Sequence, residues 1–233
     1  MIYLLINNSP PVNNFCVISY NTRGFGHEKQ KFCNFLMSEQ FVGKNLPILC
    51  NQENFILKGN FYKIHQALSN YHVVIKPALK DTANRGRARG GMFVAVPKFM
   101  KNFIQDVSPL SWRVQAVLVT SSSSKILIVN TYFPVDDPTG DTVELLEILE
   151  TIKLVLNSHV FDTLFLLGDI NADFSRTTGH CLIVKQFLSD LNLDEAWSNF
   201  PVDFTFHQEV NGVSRFATLD HIFWKRNLSE MVK

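Results

Sequence analysis

The chain lacks a dominant charge: Lys+Arg 22 against Asp+Glu 21 leaves a formal net charge of +1, so no global field marks a polyanion or a membrane surface as its partner. It also lacks long apolar runs. The Met1–Ile6 segment has no basic flank and is shorter than a signal-peptide core, and no stretch approaches the about 20 residues of a membrane span. Cysteine is scarce. Cys16, Cys33, Cys50 and Cys181 lie in apolar stretches without C-x-x-C spacing or paired histidines, which argues against a zinc site and predicts buried free thiols in a reducing interior. With 46% hydrophobic and 18% charged positions, disorder and collagen-like sequence are excluded. The expectation is an intracellular protein, nuclear or cytoplasmic, with no membrane attachment and no sign of an obligate protein partner.

What is present suits one large domain of 233 residues with a thick, sheet-rich core, for which the 20 Phe are suited. Apolar runs predict strands over Cys16–Tyr20, Pro47–Cys50, His72–Lys76, Met92–Val96, Trp112–Val119, Lys125–Tyr132, Thr163–Leu167 and Leu219–Trp224, with Ser121–Ser124 as a hairpin turn. Helical spacing is clearest over Asp141–Leu156, where Leu145, Ile148, Leu149, Ile152, Val155 and Leu156 form a packing stripe; His27–Gln40 and His180–Leu191 repeat it more weakly. Strands outnumber helices and do not alternate strictly with them. That disfavours a doubly wound sheet and favours an α/β fold built as a layered sandwich with helices outside. Trp112, Trp197 and Trp224 read as core, and residues 1–14 as an amino-terminal extension to a domain spanning 15–233.

The informative polar residues stand where apolar strands end, the places at which a sheet hands side chains to a loop-lined rim. Asn21, Glu53, Tyr132, Asp169 with Asn171, and Asp220 occupy five such ends. Gly168-Asp169-Ile170-Asn171 is the strongest of these, because the glycine allows a tight bend and period-two alternation sends Asp169 and Asn171 to one side. If the strands lie side by side, Glu53, Asp169 and Asp220 meet as a hard oxygen cluster of the kind Mg²⁺ prefers, with Asn21 and Asn171 as neutral groups for a phosphate.

The ordered series Asn21, Gln52-Glu53, Gly90-Gly91, Asn130-x-Tyr132-x-Pro134, Gly168-Asp169-x-Asn171, Thr205-Phe206 and Leu219-Asp220-His221 resembles the endonuclease/exonuclease/phosphatase superfamily. Within it, the series is most similar to the apurinic-type endonuclease domain of LINE-type (non-LTR) retrotransposons. The resemblance implies a four-layer α/β-sandwich, two packed mixed β-sheets flanked by helices, that nicks DNA with Mg²⁺ or Mn²⁺. It implies that Glu53 holds the metal, with Asn21 ordering that site, and that Asp220 joins the metal residues while supporting the terminal Asp-His arrangement. Asp169 would orient or deprotonate the attacking water, Asn171 would bind the scissile phosphate, and Tyr132 would contact that phosphate or the leaving oxygen. Thr205 matches a position that contacts DNA.

One departure stands out. The family's terminal Ser-Asp-His motif is missing, and Asp220-His221 does not replace it, because alternation sends His221 to the face opposite Asp220 and an apolar strand continues through Ile222-Phe223-Trp224. The expectation is a C-terminally truncated domain, lacking its last strand and impaired in catalysis. Its alternatives are a non-catalytic remnant or a phosphodiesterase acting on lipid head groups. Lys76, Lys80, Arg85, Arg87 and Arg89 against Asp81 give a local excess of +4, which predicts a basic loop along DNA through Arg85, Arg87 and Arg89. His207, ahead of an Asn211-Gly212 turn, is a further residue expected to approach DNA.

Overall fold

The computed structural model describes residues 2–6, 15–26, 46–80, 88–122, 124–135, 142–198 and 203–226. The first sheet has five strands in the order β1(Ile2–Ile6), β2(Phe15–Asn21), β3(Ile48–Gln52), β5(Arg89–Pro97), β4(Tyr71–Leu79). The second has six, in the order β10(Asp194–Glu195), β13(Asp220–Arg226), β9(Thr163–Asp169), β8(Lys125–Tyr132), β7(Val114–Thr120), β6(Ile104–Asp106). The pairs β2–β3 and β8–β9 are parallel and the others antiparallel, so both sheets are mixed. A separate hairpin joins β11(Phe206–Val210) to β12(Val213–Ala217). The helices are α1(Tyr62–Ala67), α2(Thr142–Ser158) and α3(Gly179–Asp190).

Alternation along the strands sorts the core into layers. Val17, Ile48, Cys50, Val94 and Val96 of one sheet meet Val117, Ile126, Ile128, Phe165, Leu167 and Ile222 of the other. Their sequence neighbours point outward. Ile18, Leu49, Phe93 and Ala95 pack against Phe25, Ile56 and Ile64, while Ala116, Leu127, Val129, Leu164 and Leu166 pack against α2 and α3 through Leu145, Ile148, Ile152, Val184 and Phe187. The result is the expected α/β-sandwich.

Several boundaries differ from expectation for identifiable reasons. Residues 2–6, read as part of an extension, form β1 and pair with β2. The short α1 was not anticipated, since its six residues bury only Ile64. Trp112, expected in the core, precedes β7 and is half-buried against Gly90. The Ser121–Ser124 turn is as predicted, closed by hydrogen bonds between those two residues. Cys16, Cys50 and Cys181 are buried free thiols. The predicted helix His27–Gln40, Cys33, Arg85 and Arg87 lie outside the described residues.

Candidate active site

Strand register builds the site. In the six-stranded sheet Tyr132 pairs with Asp169, and Asp169 pairs with Asp220, so the three stand in one row across β8, β9 and β13. In the five-stranded sheet Asn21 pairs with Gln52, and Glu53 follows directly. A buried amide network joins the two sheets beneath this rim: Gln52 Nε2 donates to Asn130 Oδ1 at 2.6 Å and to Ser19 Oγ at 3.1 Å, and Asn130 Nδ2 donates to the Asn51 carbonyl at 3.1 Å. These bonds fix the separation of Glu53 from Tyr132.

Two backbone devices aim the carboxylates. Glu53 leaves β3 with φ 51°, and its carbonyl accepts the Gly24 N–H at 2.7 Å, so the exits of β2 and β3 interlock. Gly168 has φ 143°, and a Cβ there would meet the Thr131 carbonyl oxygen on β8. Only glycine permits that approach. Asn171 also sits at positive φ (51°), and its N–H donates to Asp169 Oδ1 at 3.1 Å. Such conformations are uncommon for non-glycine residues and cluster at functional sites.

The Asn21 amide joins the two sheets' carboxylates, donating to Glu53 Oε2 at 2.8 Å and to Asp169 Oδ2 at 2.6 Å. The Tyr132 hydroxyl donates to Glu53 Oε1 at 2.8 Å. Burial, the facing Asp220 and Glu53 push the Asp169 carboxyl up to about 8, against the lowering effect of the Asn21 and Asn171 donors. Burial likewise raises Asp220, and burial and Glu53 raise the Tyr132 phenol. The site crowds carboxyl groups, and burial favours the protonated forms of Asp169 and Asp220.

A cleft of about 180 Å³ opens on this cluster, lined among others by Asn21, Arg23, Asp169, Thr205, His207 and Asp220. The sequence-predicted Asn21, Glu53, Tyr132, Asp169, Asn171, Thr205 and Asp220 therefore converge. Two of them also have partners within the chain. The Asn171 side chain donates to the Phe133 carbonyl at 2.8 Å, and Thr205 Oγ accepts the Leu219 and Asp220 amides at 2.9 and 3.0 Å, so Thr205 braces Asp220. His207 is exposed on the hairpin beside Phe204 and Phe216. Arg89 is exposed at the start of β5. Arg23 was missed by sequence reasoning. It lines the cleft with its guanidinium 4.6 Å from the Phe206 ring centre, and the only signal for a rim position was the Gly24 that follows it, which marks a turn at the end of β2.

His221 is on the opposite face from Asp220, as alternation required. It is 1% exposed, with Nδ1 2.6 Å from Glu195 Oε1 and Nε2 3.0 Å from the Ala172 and Thr218 carbonyl oxygens. It tethers the loop after Asp169 from behind.

The chain superposes on an AP endonuclease, LMAP, from Leishmania major with TM-score 0.65 at 13% identity, covering 89% of this chain and 78% of that one. An endonuclease/exonuclease/phosphatase family protein from Leptotrichia buccalis gives TM-score 0.63 at 13% identity, covering 89% and 86%. The chain has the endonuclease/exonuclease/phosphatase fold. Within that fold it is also similar to the endonuclease domain of TRAS1, a telomere-specific non-LTR retrotransposon, with TM-score 0.58 at 16% identity, covering 89% and 83%. No protein-family model and no characterised protein matches the chain by sequence.

No three His, Cys, Asp or Glu side chains among the described residues form a ready-made metal cage. Mg²⁺ does not require one, since it keeps several waters and takes one or two carboxylates. Glu53, Asp169 and Asp220 offer hard carboxylate oxygens, and the elevation of Asp169 to about 8 reflects, beside burial, a repulsion that a divalent cation would relieve. The residues fit such an ion.

Proposed function

We propose that the chain is a metal-dependent DNA endonuclease of the retrotransposon type, which hydrolyses a phosphodiester to leave a nick. One observation carries the reading: the Asn21 amide bridges Glu53 and Asp169 from separate sheets, with Tyr132 hydrogen-bonded to Glu53 and Asp220 paired to Asp169. Phosphodiester hydrolysis needs a positioned water, a base for its proton and charge stabilisation on the phosphate. The arrangement offers all three without a covalent nucleophile.

In this mechanism Asp169 accepts the proton of the attacking water as its carboxylate, the form that a neighbouring divalent cation would favour by offsetting the repulsion from Asp220 and Glu53. The Asn171 N–H and Asn21 amide hold its two oxygens, fixing the direction of attack. With its oxygen held beside Glu53, the Tyr132 hydroxyl donates to a phosphate oxygen when substrate enters, and Arg23 at the cleft mouth neutralises phosphate charge. Glu53, hydrogen-bonded to Asn21, would hold Mg²⁺ or Mn²⁺ with the help of Asp220 across the cleft, and the ion when bound would supply Lewis-acid polarisation of the phosphodiester.

The test is nicking of supercoiled plasmid. Open circles formed with Mg²⁺, lost on chelation and lost in Asp169→Ala, are expected. Salt-dependent DNA binding without nicking would instead make this a non-catalytic remnant, a reading favoured by His221 facing away from the cleft. Hydrolysis of a phosphoinositide or sphingomyelin in place of DNA would make it a lipid head-group phosphodiesterase.

A further inference from the structure

Arg113, immediately before β7, has a side chain only 12% exposed at the rim that carries Tyr132. Its guanidinium makes a two-pronged ion pair with Glu144 in the first turn of α2, Nε to Oε1 at 2.6 Å and Nη2 to Oε2 at 3.0 Å. It also lies 4.1 Å from the Trp112 ring centre and 4.9 Å from that of Tyr132. The backbone completes the grip. Nη1 donates to the Tyr132 carbonyl at 3.2 Å, and the Arg113 carbonyl accepts the Tyr132 N–H at 2.9 Å.

The neighbouring Trp112 reaches the other half of the same pair. Its ring covers Gly90 so closely that a Cβ on Gly90 would stand 2.6 Å from Cζ3. The Gly90 and Gly91 carbonyls in turn accept the Phe55 and Asn54 amides at 3.0 and 3.1 Å, which holds the turn directly after Glu53. Lys76 fixes the preceding loop by donating to the Ser111 carbonyl at 2.6 Å.

We infer that Arg113, locked by Glu144 and flanked by Trp112, is a positioning residue that sets the Tyr132 hydroxyl against Glu53, approaching that hydrogen bond from both partners. The inference deepens the nuclease reading and rests on it for its catalytic consequence. A guanidinium is needed because only its planar fork can pair with a carboxylate edge-on while presenting a flat face to two rings. Lysine carries the charge but not the shape. Placing a reacting group even about 1 Å away from its productive position costs on the order of 100-fold in rate.

The experiment is a double-substitution cycle on plasmid nicking, with Arg113→Lys made alone and in a Tyr132→Phe background, and with Glu144→Gln as a second way to loosen the same clamp should the lysine variant not fold. The expected result is a kcat reduced by about 10–100-fold with KM nearly unchanged, and little further loss when the Tyr132 hydroxyl is already absent. An equal loss in both backgrounds, or a raised KM with unchanged kcat, would overturn the positioning role. A second readout is independent of activity: with fluorotyrosine incorporated, and the Tyr132 signal assigned by its loss in Tyr132→Phe, that ¹⁹F resonance should shift or broaden in Arg113→Lys while the other four tyrosine signals stay put. An unmoved Tyr132 resonance would also overturn the inference. A chain that nicks nothing yet shows the resonance change would defeat the nuclease reading and leave the clamp standing.

Discussion

Asp169 and Asp220 are directly paired residues on the adjacent antiparallel strands β9 and β13, so two carboxyl groups share one spot on the rim. Residues directly opposite in such a pair have Cβ atoms about 5 Å apart, where like charges destabilise. The arrangement is therefore costly to the fold and useful to the site.

Its cost has a pH signature. Burial and Asp220 raise Asp169 from 3.8 to about 8 in the folded chain, so between those values the folded state keeps a proton that the unfolded state has released. Stability from this group is present below about 4 and is lost as pH rises towards about 8. Without divalent metal, Asp169→Asn should melt about 5 °C or more above the parent at pH 9, show little difference at pH 4, and fail to nick DNA. Scanning calorimetry at the two pH values checks this, and equal melting temperatures at pH 9 would contradict it.

Metal binding should relieve the same repulsion. Adding Mg²⁺ at pH 8 is expected to raise the melting temperature, with about 2.7 kcal/mol of added stability when the ion is a hundredfold above its dissociation constant. Glu53→Gln should lose most of that shift. Thermal melts with and without Mg²⁺ read it directly, and an equal shift in both proteins would remove Glu53 from the ion's ligands.

Gly168 is the position least tolerant of a side chain. With φ 143° and the Thr131 carbonyl in the path of a Cβ, Gly168→Ala combines backbone strain with a clash between paired strands. A loss of about 2–4 kcal/mol is expected in urea unfolding. Unchanged stability would mean that β8 and β9 can separate at this point.

His221 should matter to the fold and not to the chemistry. Replacing it with Gln leaves Glu195 without its ring partner, and a loss of about 1–3 kcal/mol is expected, with nicking per folded molecule largely retained. An undiminished melting temperature with abolished nicking would bring His221 into the reaction.

The basic segment should act on affinity through salt. Changing Arg85, Arg87 and Arg89 to Ala is expected to weaken DNA binding and to flatten the slope of log affinity against log salt by up to about 3, at roughly 0.9 for each phosphate no longer neutralised. Fluorescence anisotropy across a salt series measures the slope, and no change would place these arginines away from the DNA backbone.

Much of the site was legible in the chain itself, because a polar residue ending an apolar strand has few places to go but the rim. Asn21, Glu53, Tyr132, Asp169 and Asp220 were each picked out in this way, and period-two alternation alone assigned His221 to the far face. The α2 stripe was equally readable, since five of its six predicted packing residues, Leu145, Ile148, Leu149, Ile152 and Val155, are buried. The shortest edge strands were not. β6 and β10 have three and two residues, too few for a periodic signal, and they exist because a neighbouring strand offers them backbone partners.

By itself, then, the sequence determined the residue types at the rim, the alternation that separates Asp220 from His221, and the layered α/β class. Local rules suffice for these, because a residue's face follows from its neighbours a few positions away. Tertiary structure alone decided the register that aligns Tyr132, Asp169 and Asp220, the Asn21 bridge between sheets, and the Arg113 clamp. Each of these joins residues distant in the chain, and the raised Asp169 carboxyl depends on burial and on charges brought together only when the two sheets pack.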